Sequence, residues 1–351
     1  MQNTKRKLLT AIALIGLSNV SMAGVEFTIF GEDNLDRDTS WNRALVANDG
    51  TVLIKEKIDY NIEHYTWHKD SGYTLIPIAG YTSSLFSNDG AYSLFSGFGY
   101  MYKTPVDTFP VGSSGNSNGI ISAMSGNGRV LVGSSNGLIN YFVDGVKIKS
   151  INIPLPSTNT SSPYLIGQKS INETGDRMLV TEASPVAGDG TKRIYFIDAE
   201  GALTEIPYLF QGTPSLSDDG HSVLGTMKGL NTGCLNEQSD VIYNDVTGLI
   251  TEIACTSEFR AKYFSGDGST VIGVVGGYTE DKTSYIWDAA KGKRNLQDAL
   301  MQQGIDVQGW SNFAVTDISE DGLKISGWGT NEAGDDRFFL INVVPECNAG
   351  L

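Results

Sequence analysis

A turn that ends in glycine recurs seven times along the chain, and an apolar segment follows each turn. The final glycines are Gly50, Gly90, Gly128, Gly175, Gly220, Gly268 and Gly322. Successive glycines are 40, 38, 47, 45, 48 and 54 residues apart. Spacings of this size are typical of four-stranded propeller blades and too long for leucine-rich or hexapeptide repeats. The repeat therefore predicts an all-β fold, a seven-bladed β-propeller, as a single domain over residues 24–351.

Each repeat has the same internal order of elements. A short strand precedes the turn, an apolar strand such as 51–54 follows it, and an aromatic strand such as 65–67 comes next. A second turn, for example Asp144-Gly145, then leads into an outer strand. Asp-Gly and Asn-Gly supply the positive φ angles of tight hairpin turns, so we assign the recurrent aspartates to turns. One large ring per repeat is typical of the core between adjacent blades.

Two segments depart from the repeat. Residues 25–30, Val25 to Phe30, alternate apolar and polar side chains without a preceding turn, and they are predicted to complete the last blade. Between the sixth and seventh repeats, Asn295 is followed by Asp298, by helix formers and by Gly304. This order predicts one short helix near 295–303, because an N-cap residue and a terminal glycine mark helix ends.

The first 23 residues resemble a secretory signal peptide. Three basic residues, Lys5 to Lys7, precede an apolar run from Leu8 to Leu17 that is too short to cross a bilayer. Small residues then predict cleavage between Ala23 and Gly24. We expect export to the periplasm or the cell exterior, with no membrane span in the mature chain.

The chain is strongly acidic. Its formal charge is −15, and removal of residues 1–23 would take away three basic residues and no acidic residue, leaving −18. Nucleic-acid binding needs a basic stripe that neutralises phosphates. The charge therefore argues against a nucleic-acid partner.

Three cysteines follow the predicted cleavage site. Cys234 and Cys255 flank a predicted hairpin, so they are expected to form a disulfide in an oxidising compartment. Cys347 is the odd cysteine, for which a free thiol and an intermolecular bridge both stay open.

Metal ligands are not arranged in a recognised motif. His64 and His68 could share one face of a strand, but no motif places a third ligand, and exposed outer-strand histidines are commoner. The acidic segment from Glu32 to Asp38 suits calcium, yet it lacks the glycine and the terminal glutamate of an EF-hand loop. We expect no cofactor, with calcium as the one cation left open.

The C-terminal repeats resemble those of a known family. The resemblance covers Tyr285 to Gly292, Leu296 to Leu300, Gly304 to Asp306, Gly309-Trp310 and Ile318 to Asn331. These stretches are similar to the C-terminal part of bacterial extracellular proteins with HAF repeats. The Ser-x-Asp-Gly cores at Ser87, Ser217, Ser265 and Ser319 also resemble repeats of periplasmic Tol-system and peptidase propellers. The resemblance implies secretion and a propeller fold, and it implies no particular activity.

The function predicted from the sequence is binding. Long connections at Ser184–Lys192, Lys228–Ser239 and Gly276–Lys282 are expected to present a site for a protein or glycan partner, since loops on rigid scaffolds carry most binding sites. One alternative is a propeller enzyme, a hydrolase or lyase that acts on extracellular polysaccharide. Another is a structural component of the cell envelope. The sequence does not predict an oligomeric state.

Overall fold

The computed structural model describes most of the chain between residues 22 and 345. The described ranges are 22–30, 43–58, 61–78, 83–96, 100–112, 120–135, 138–153, 164–165, 169–183, 191–228, 238–255, 260–276 and 282–345. Strands form almost all regular structure in these ranges, with one helix among them. The predicted all-β class is therefore confirmed.

The first half of the chain forms an N-terminal strand and three four-stranded antiparallel sheets. The N-terminal strand is β1 (Met22–Phe30). Sheet 1 contains β2 (Arg43–Val46), β3 (Val52–Ile58), β4 (Asn61–His68) and β5 (Gly72–Ile76). Sheet 2 contains β6 (Ser83–Phe86), β7 (Ser93–Ser96), β8 (Tyr100–Lys103) and β9 (Thr108–Gly112). Sheet 3 contains β10 (Ile120–Met124), β11 (Val130–Ser135), β12 (Leu138–Val143) and β13 (Val146–Asn152).

The middle of the chain forms one seven-stranded sheet, sheet 4. Its strands are β14 (Tyr164–Leu165), β15 (Arg177–Ala183), β16 (Thr191–Asp198), β17 (Leu203–Leu216), β18 (Ser222–Lys228), β19 (Gln238–Asn244) and β20 (Leu249–Cys255). β17 is 14 residues long and pairs with β16 mainly along its first part and with β18 along its second part. This long strand is the common edge of two four-stranded units.

The C-terminal part forms two more four-stranded sheets and the helix. Sheet 5 contains β21 (Ala261–Phe264), β22 (Thr270–Val275), β23 (Thr283–Asp288) and β24 (Gly292–Asn295), and α1 (Leu296–Gln302) follows it. Sheet 6 contains β25 (Ser311–Ile318), β26 (Lys324–Thr330), β27 (Asp336–Pro345) and β1. The predicted helix is confirmed, and the Asn295 side chain caps it by accepting from Asp298 N.

β1 joins the two ends of the chain in sheet 6. It pairs antiparallel with β27 from Met22 opposite Pro345 to Phe30 opposite Phe338. Residues 1–21 of the predicted signal peptide lie outside the described residues, and Met22 and Ala23 begin β1. Cleavage between Ala23 and Gly24 therefore stays a prediction. No helix in the described part of the chain is long and apolar enough to cross a membrane.

Apolar cores fill the wedges between neighbouring sheets. Six buried clusters lie between consecutive sheets, including sheet 6 against sheet 1, and a seventh lies between the two halves of sheet 4. Between sheets 6 and 1, the rings of Phe30 and Trp67 stack with centroids 4.2 Å apart. The aromatic residues thus have the core role expected from the sequence. Because sheet 6 packs on sheet 1, the sheets form a closed ring.

The ring has two different faces. The glycine-containing turns join first to second strands, and the second set of turns joins third to fourth strands, so both sets lie on one face, the turn face. The connections from second to third strands leave the opposite ends of the sheets, on the loop face. The long connections singled out in the sequence belong to the loop face, and their central residues, 184–190, 229–237 and 277–281, lie outside the described residues.

Candidate functional site

The Ser-x-Asp-Gly turns are rigid hydrogen-bonded units. In the turn at Ser265, the serine Oγ donates to Asp267 Oδ1 at 2.6 Å and accepts from Thr270 N at 3.1 Å. Asp267 Oδ1 also accepts from Ser269 N at 2.9 Å. Gly268 has φ +70°, a conformation that side chains rarely adopt, and its N–H donates to Ser265 O. Ser87, Ser125, Ser217 and Ser319 head the same arrangement in their turns.

Two turns reach the same shape with different residues. Where serine is replaced by Asn172, the amide oxygen accepts from Gly175 N and Arg177 N, and the amide nitrogen donates to Asp176. In the first turn, where alanine stands in the serine position, the Thr51 hydroxyl bonds the turn aspartate instead. The turn geometry is therefore kept although the sequence departs from the acidic-glycine core.

The x residues of the seven turns form a closed ring, the turn ring. Its members are Asn48, Asn88, Gly126, Glu173, Asp218, Gly266 and Glu320. Six backbone N–H groups of successive turns donate to carbonyls of the next turn, over 2.7 to 3.1 Å. At the last junction the Asn48 side chain takes over, donating to Glu320 Oε2 at 3.2 Å and accepting from Asp321 N at 3.2 Å. The first and last repeats are thereby joined across the whole length of the chain.

Three acidic side chains and one amide meet at the centre of the turn ring. Asn88 Nδ2 lies 2.5 Å from Glu173 Oε2, 2.9 Å from Glu320 Oε2 and 3.3 Å from Asp218 Oδ2. One oxygen of each acid lies within 4.8 Å of the other two, and all three acids are partly buried. We call these four residues the axial cluster.

Two glycines of the turn ring make room for the acids. A Cβ at Gly126 would lie 1.9 Å from Glu173 Oε2 and 2.3 Å from Asn88 Nδ2. A Cβ at Gly266 would lie 2.3 Å from the Cγ of Glu320 and 2.7 Å from Asp218 Oδ2. All four distances are below van der Waals contact, so a larger residue at either position would displace the acids.

Two acids of the axial cluster, Glu173 and Asp218, have raised pKa values. Burial, with the nearby charges of Glu320 and Asp218, raises the pKa of Glu173 to about 7, although the hydrogen bond from Asn88 opposes the rise. Burial raises the pKa of Asp218 to about 6, although the Lys169 ammonium opposes this rise. Carboxylates that share a site disfavour each other's charged form. The cluster therefore has an excess of negative charge that a cation or a proton would offset.

A second polar pair lies beside the axial cluster. Lys169 Nζ lies 3.6 Å from Asp317 Oδ1, and Asp317 Oδ2 accepts from Val46 N at 3.1 Å. Lys169 precedes the fourth turn and Asp317 precedes the seventh, so the lysine bridges repeats that are distant in sequence. Its single charge compensates only part of the acidic charge at the axis.

The axial cluster has the chemistry of a hard-cation site. Carboxylate and amide oxygens are the ligands that calcium and magnesium prefer in proteins. Rotating the Asn88 amide by half a turn would exchange its nitrogen for its oxygen, giving a fourth oxygen beside Glu173, Asp218 and Glu320. Calcium takes six to eight oxygens, so the remaining ligands would be water or ligand groups. As the side chains stand, the Asn88 amide occupies the space between the acids.

Sequence reasoning missed the axial cluster. The turn aspartates were assigned to turn formation, and the adjacent Asp219, Asp267 and Asp321 do bond their own turns. The functional candidates are the preceding x residues, which differ from turn to turn. Their identity is visible in the sequence, but their convergence depends on the ring.

The other sequence candidates are spread over the molecule. His64 is fully buried in β4, so the expectation of an exposed outer-strand histidine is wrong for this residue. His68 lies 3.7 Å from Asp70, and the 44% exposed side chain of His221 pairs with Asp245. No described residue adds a third metal ligand beside His64 and His68. Glu32 to Asp38 lie outside the described residues.

One cysteine of the predicted disulfide, Cys255, lies among the described residues. Cys255 ends β20, opposite Ser239 at the start of β19. Cys234 and Cys347 lie outside the described residues, so the pairing of Cys234 with Cys255 stays a prediction.

Comparisons with known proteins show the fold. The sequence matches no family model and no curated protein. The β-propeller domain of the Trilobed protease from Pyrococcus furiosus, described as having an open velcro topology, is similar with a TM-score of 0.58 and 12% identity over 87% of this chain and 97% of that chain.

Two oligogalacturonate lyase structures are similar as well. The lyase from Vibrio parahaemolyticus has a TM-score of 0.55 and 12% identity over 92% of this chain and 98% of that chain. An oligogalacturonate lyase in complex with manganese has a TM-score of 0.54 and 10% identity over 92% of this chain and 97% of that chain. At such identities the likeness concerns architecture alone. The chain has an all-β, propeller-like fold.

Proposed function

We propose that this protein is an exported binding module that recognises a protein or glycan partner on its loop face. The observation that carries the proposal is the placement of the long connections. Those after β15, β18 and β22 all leave the loop face from neighbouring parts of the ring. A rigid ring that presents adjacent variable loops is a common way to build a recognition surface. Export to the periplasm or the cell exterior belongs to the same proposal and rests on residues 1–23.

We also propose seven blades. Seven turns contribute to the turn ring, and seven apolar clusters separate the units. In this count β17 belongs to two blades, and β1 completes the blade that contains β27. The count agrees with the seven repeats in the sequence.

The axial cluster would support this module by holding a divalent cation, for which calcium is our first candidate. Its three acids come from turns that are 45 to 147 residues apart, so a shared cation would tie distant repeats together. The expected role is structural, because the cluster lies on the turn face, opposite the proposed binding face.

The second candidate function is a propeller enzyme that acts on extracellular polysaccharide. The specific observation in its favour is the convergence of three carboxylates, two with raised pKa values, since catalytic acids often have such shifts. The names of two structural neighbours, both oligogalacturonate lyases, point to the same substrate class. A purely structural envelope role is the third candidate.

The deciding experiment is a glycan-array assay on residues 24–351, with calcium and with a chelator, followed by product analysis on every hit. Selective binding without turnover supports the binding module, whereas turnover would replace it with the enzyme. Replacing 184–190 or 229–237 by a two-residue Asn-Gly turn should abolish binding. Replacing 104–107, the β8–β9 turn on the turn face, is the matched control and should leave binding unchanged.

Absence of glycan binding would move the search to protein partners. The same loop variants would then test whether a protein partner binds on the loop face. Cation binding is measured separately by calorimetry with calcium and manganese. A triple variant, Glu173→Gln with Asp218→Asn and Glu320→Gln, should lose it, and Glu200→Gln on the same face should not. No heat of binding in the unaltered protein would exclude the cation role. The proposal that a partner binds on the loop face does not depend on this result.

A further inference from the structure

Lysine recurs at one position on the inside of the ring. In each unit the segment that enters the turn is the inner edge of the sheet, and three residues before the turn stand Lys169 in the fourth unit and Lys262 in the sixth. Lys169 Nζ lies 3.6 Å from Asp317 Oδ1, which precedes the seventh turn. The fourth and seventh turns lie on opposite sides of the ring, so this ion pair crosses its inside. The equivalent Lys262 therefore stands at the inside of the ring too.

A β-bulge directs Lys262 out of its sheet. The register between β21 and β22 shifts between Ala261 and Tyr263, and the bulged residue is the exposed Lys262. Ala261 packs against the core shared with the fifth unit, and Tyr263 packs against the core shared with the seventh. Bulges re-aim side chains and are common beside functional sites. The Lys262 ammonium is thus presented inside the ring, about 10 Å from the turn ring toward the loop face.

Lys282 stands at the loop face of the same unit. It ends the connection after β22 and directly precedes β23. Its Nζ lies 4.6 Å from the centre of the Trp328 ring, a cation–π contact with the seventh unit. Its backbone N–H donates to Asn312 Oδ1 of the same neighbour at 3.4 Å. Two contacts therefore fix this lysine across the interface between the sixth and seventh units.

Asn312 has a strained backbone at this interface. Its φ is +51°, and the other non-glycine residue with a positive φ in the described part of the chain, Asp144, lies in a hairpin turn before Gly145. Asn312 instead lies within strand β25. Strain of this kind is concentrated at functional sites. It gives a reason, independent of charge, to look for a ligand beside Lys282.

Three cations of the sixth unit lie near one another at the loop face. Burial and the charge of Lys262 lower the pKa of Lys282, so the two ammonium groups repel each other. Arg260 precedes Lys262 by two residues and is exposed. It lies near the buried Asp240, because its charge opposes the rise in the pKa of that acid. We call Arg260, Lys262 and Lys282 the basic cluster; it stands out in a chain whose formal charge is −15.

We propose that the basic cluster binds the carboxylate groups of an acidic sugar chain that enters the ring from the loop face. This inference rests on the proposed binding role of that face and names the chemistry of the ligand. Because the Lys169–Asp317 pair crosses the ring and the axial cluster occupies its turn-face end, the inside admits the end of a narrow chain and not a folded surface. Peptide segments are usually held by backbone groups, whereas the basic cluster offers side-chain cations.

The first test is calorimetry on the mature chain with trisaccharides of galacturonate, glucuronate and mannuronate, each also in its methyl-esterified, uncharged form. At least one acid form should bind, with an affinity that falls as sodium chloride is raised, and its ester should bind about tenfold more weakly or less. Equal affinity of acid and ester would overturn the inference and leave a glycan-binding loop face in place. Binding of hexaglutamate and of no acidic sugar would also overturn it, in favour of an acidic peptide.

The second test uses Lys262→Gln and Lys282→Gln. Each should weaken binding of the acidic trisaccharide by about tenfold, since each removes one charged contact. Lys293→Gln is the matched control, because Lys293 belongs to the same unit and its Nζ lies 5.5 Å from the centre of the Tyr285 ring on the outer side of the sheet. Its affinity should not change. Unchanged affinity in both basic-cluster variants, with binding lost on replacement of 229–237, would overturn this inference while the loop-face proposal stands.

Discussion

Asn88 and Glu173 are 85 positions apart in the chain, yet Asn88 Nδ2 lies 2.5 Å from Glu173 Oε2 at the centre of the ring. The contact crosses the third turn, whose x residue is Gly126. Because the backbone of Asn88 also donates to Gly126 O, the amide is held in place from two sides. The side chains that meet at the centre of the ring are therefore determined by the residues at the x positions of the turns.

The first prediction concerns Gly126→Ala. The added Cβ would overlap Glu173 Oε2 and Asn88 Nδ2, and overpacking of this kind typically costs about 1–3 kcal/mol. Urea unfolding measures the loss. In the double variant with Glu173→Ala the overlap with the carboxylate is absent, so the two effects should be clearly non-additive. Additive effects would mean that the added methyl group does not overlap the Glu173 carboxylate.

The second prediction concerns pH and Glu173. Its pKa is raised to about 7 in the folded protein from an ordinary 4.5, so the folded state holds the proton more tightly. The resulting stabilisation is present below pH 4.5 and is lost as the pH rises through 7. In the presence of a chelator, Glu173→Gln should remove roughly 1–2 kcal/mol of this pH dependence, after allowance for solvent screening. The exposed Glu200→Gln should leave it unchanged.

The cluster and the fold differ in how far the sequence predicts them. Turn spacing, apolar second strands and the capped helix at Leu296–Gln302 depend on local residue patterns, and the structure confirms each of them. The shared strand β17 was not predicted, because residues 203–216 look like an outer strand followed by a first strand. The axial cluster depends on four side chains from distant turns that ring closure brings together, and no local pattern encodes this.

The burial of His64 is a second feature that the local sequence does not predict. Its neighbours Tyr65 and Trp67 predict a strand correctly, yet the sequence does not say which face of that strand meets sheet 2. Burial of a polar residue is decided by the neighbouring sheet, and Phe95 of β7 is 31 residues away.

The third prediction tests the turn units. In Ser265→Ala the bonds to Asp267 Oδ1 and from Thr270 N are both lost, and a loss of about 1–3 kcal/mol is expected because buried groups are left unpaired. Ser269→Ala is a matched control in the same turn, since the Ser269 hydroxyl has no hydrogen-bond partner there. Thermal unfolding of both variants measures the difference. Equal stabilities would show that glycine alone maintains the turn.

The fourth prediction tests closure by β1. Phe30 is buried between Trp67 and Phe338, so Phe30→Ala should destabilise the protein by about 3–5 kcal/mol. The adjacent Ile29 is 50% exposed, and Ile29→Ala should cost much less. Deletion of residues 24–30 should abolish a single cooperative melt. A cooperative melt that survives the deletion would show that the ring closes without β1.

The fifth prediction concerns the cysteines. Peptide mapping of the exported protein under non-reducing conditions should recover Cys234 linked to Cys255. A bridge that closes a loop of about 20 residues stabilises a fold by roughly 3 kcal/mol, so Cys234→Ser should lower the unfolding free energy by about that amount. Cys347→Ser is the control, because its pairing is not required by the hairpin. Recovery of Cys347 linked to Cys255 would instead place the C-terminal segment beside β20, and the hairpin would then have to hold its register by the backbone ladder between β19 and β20 alone.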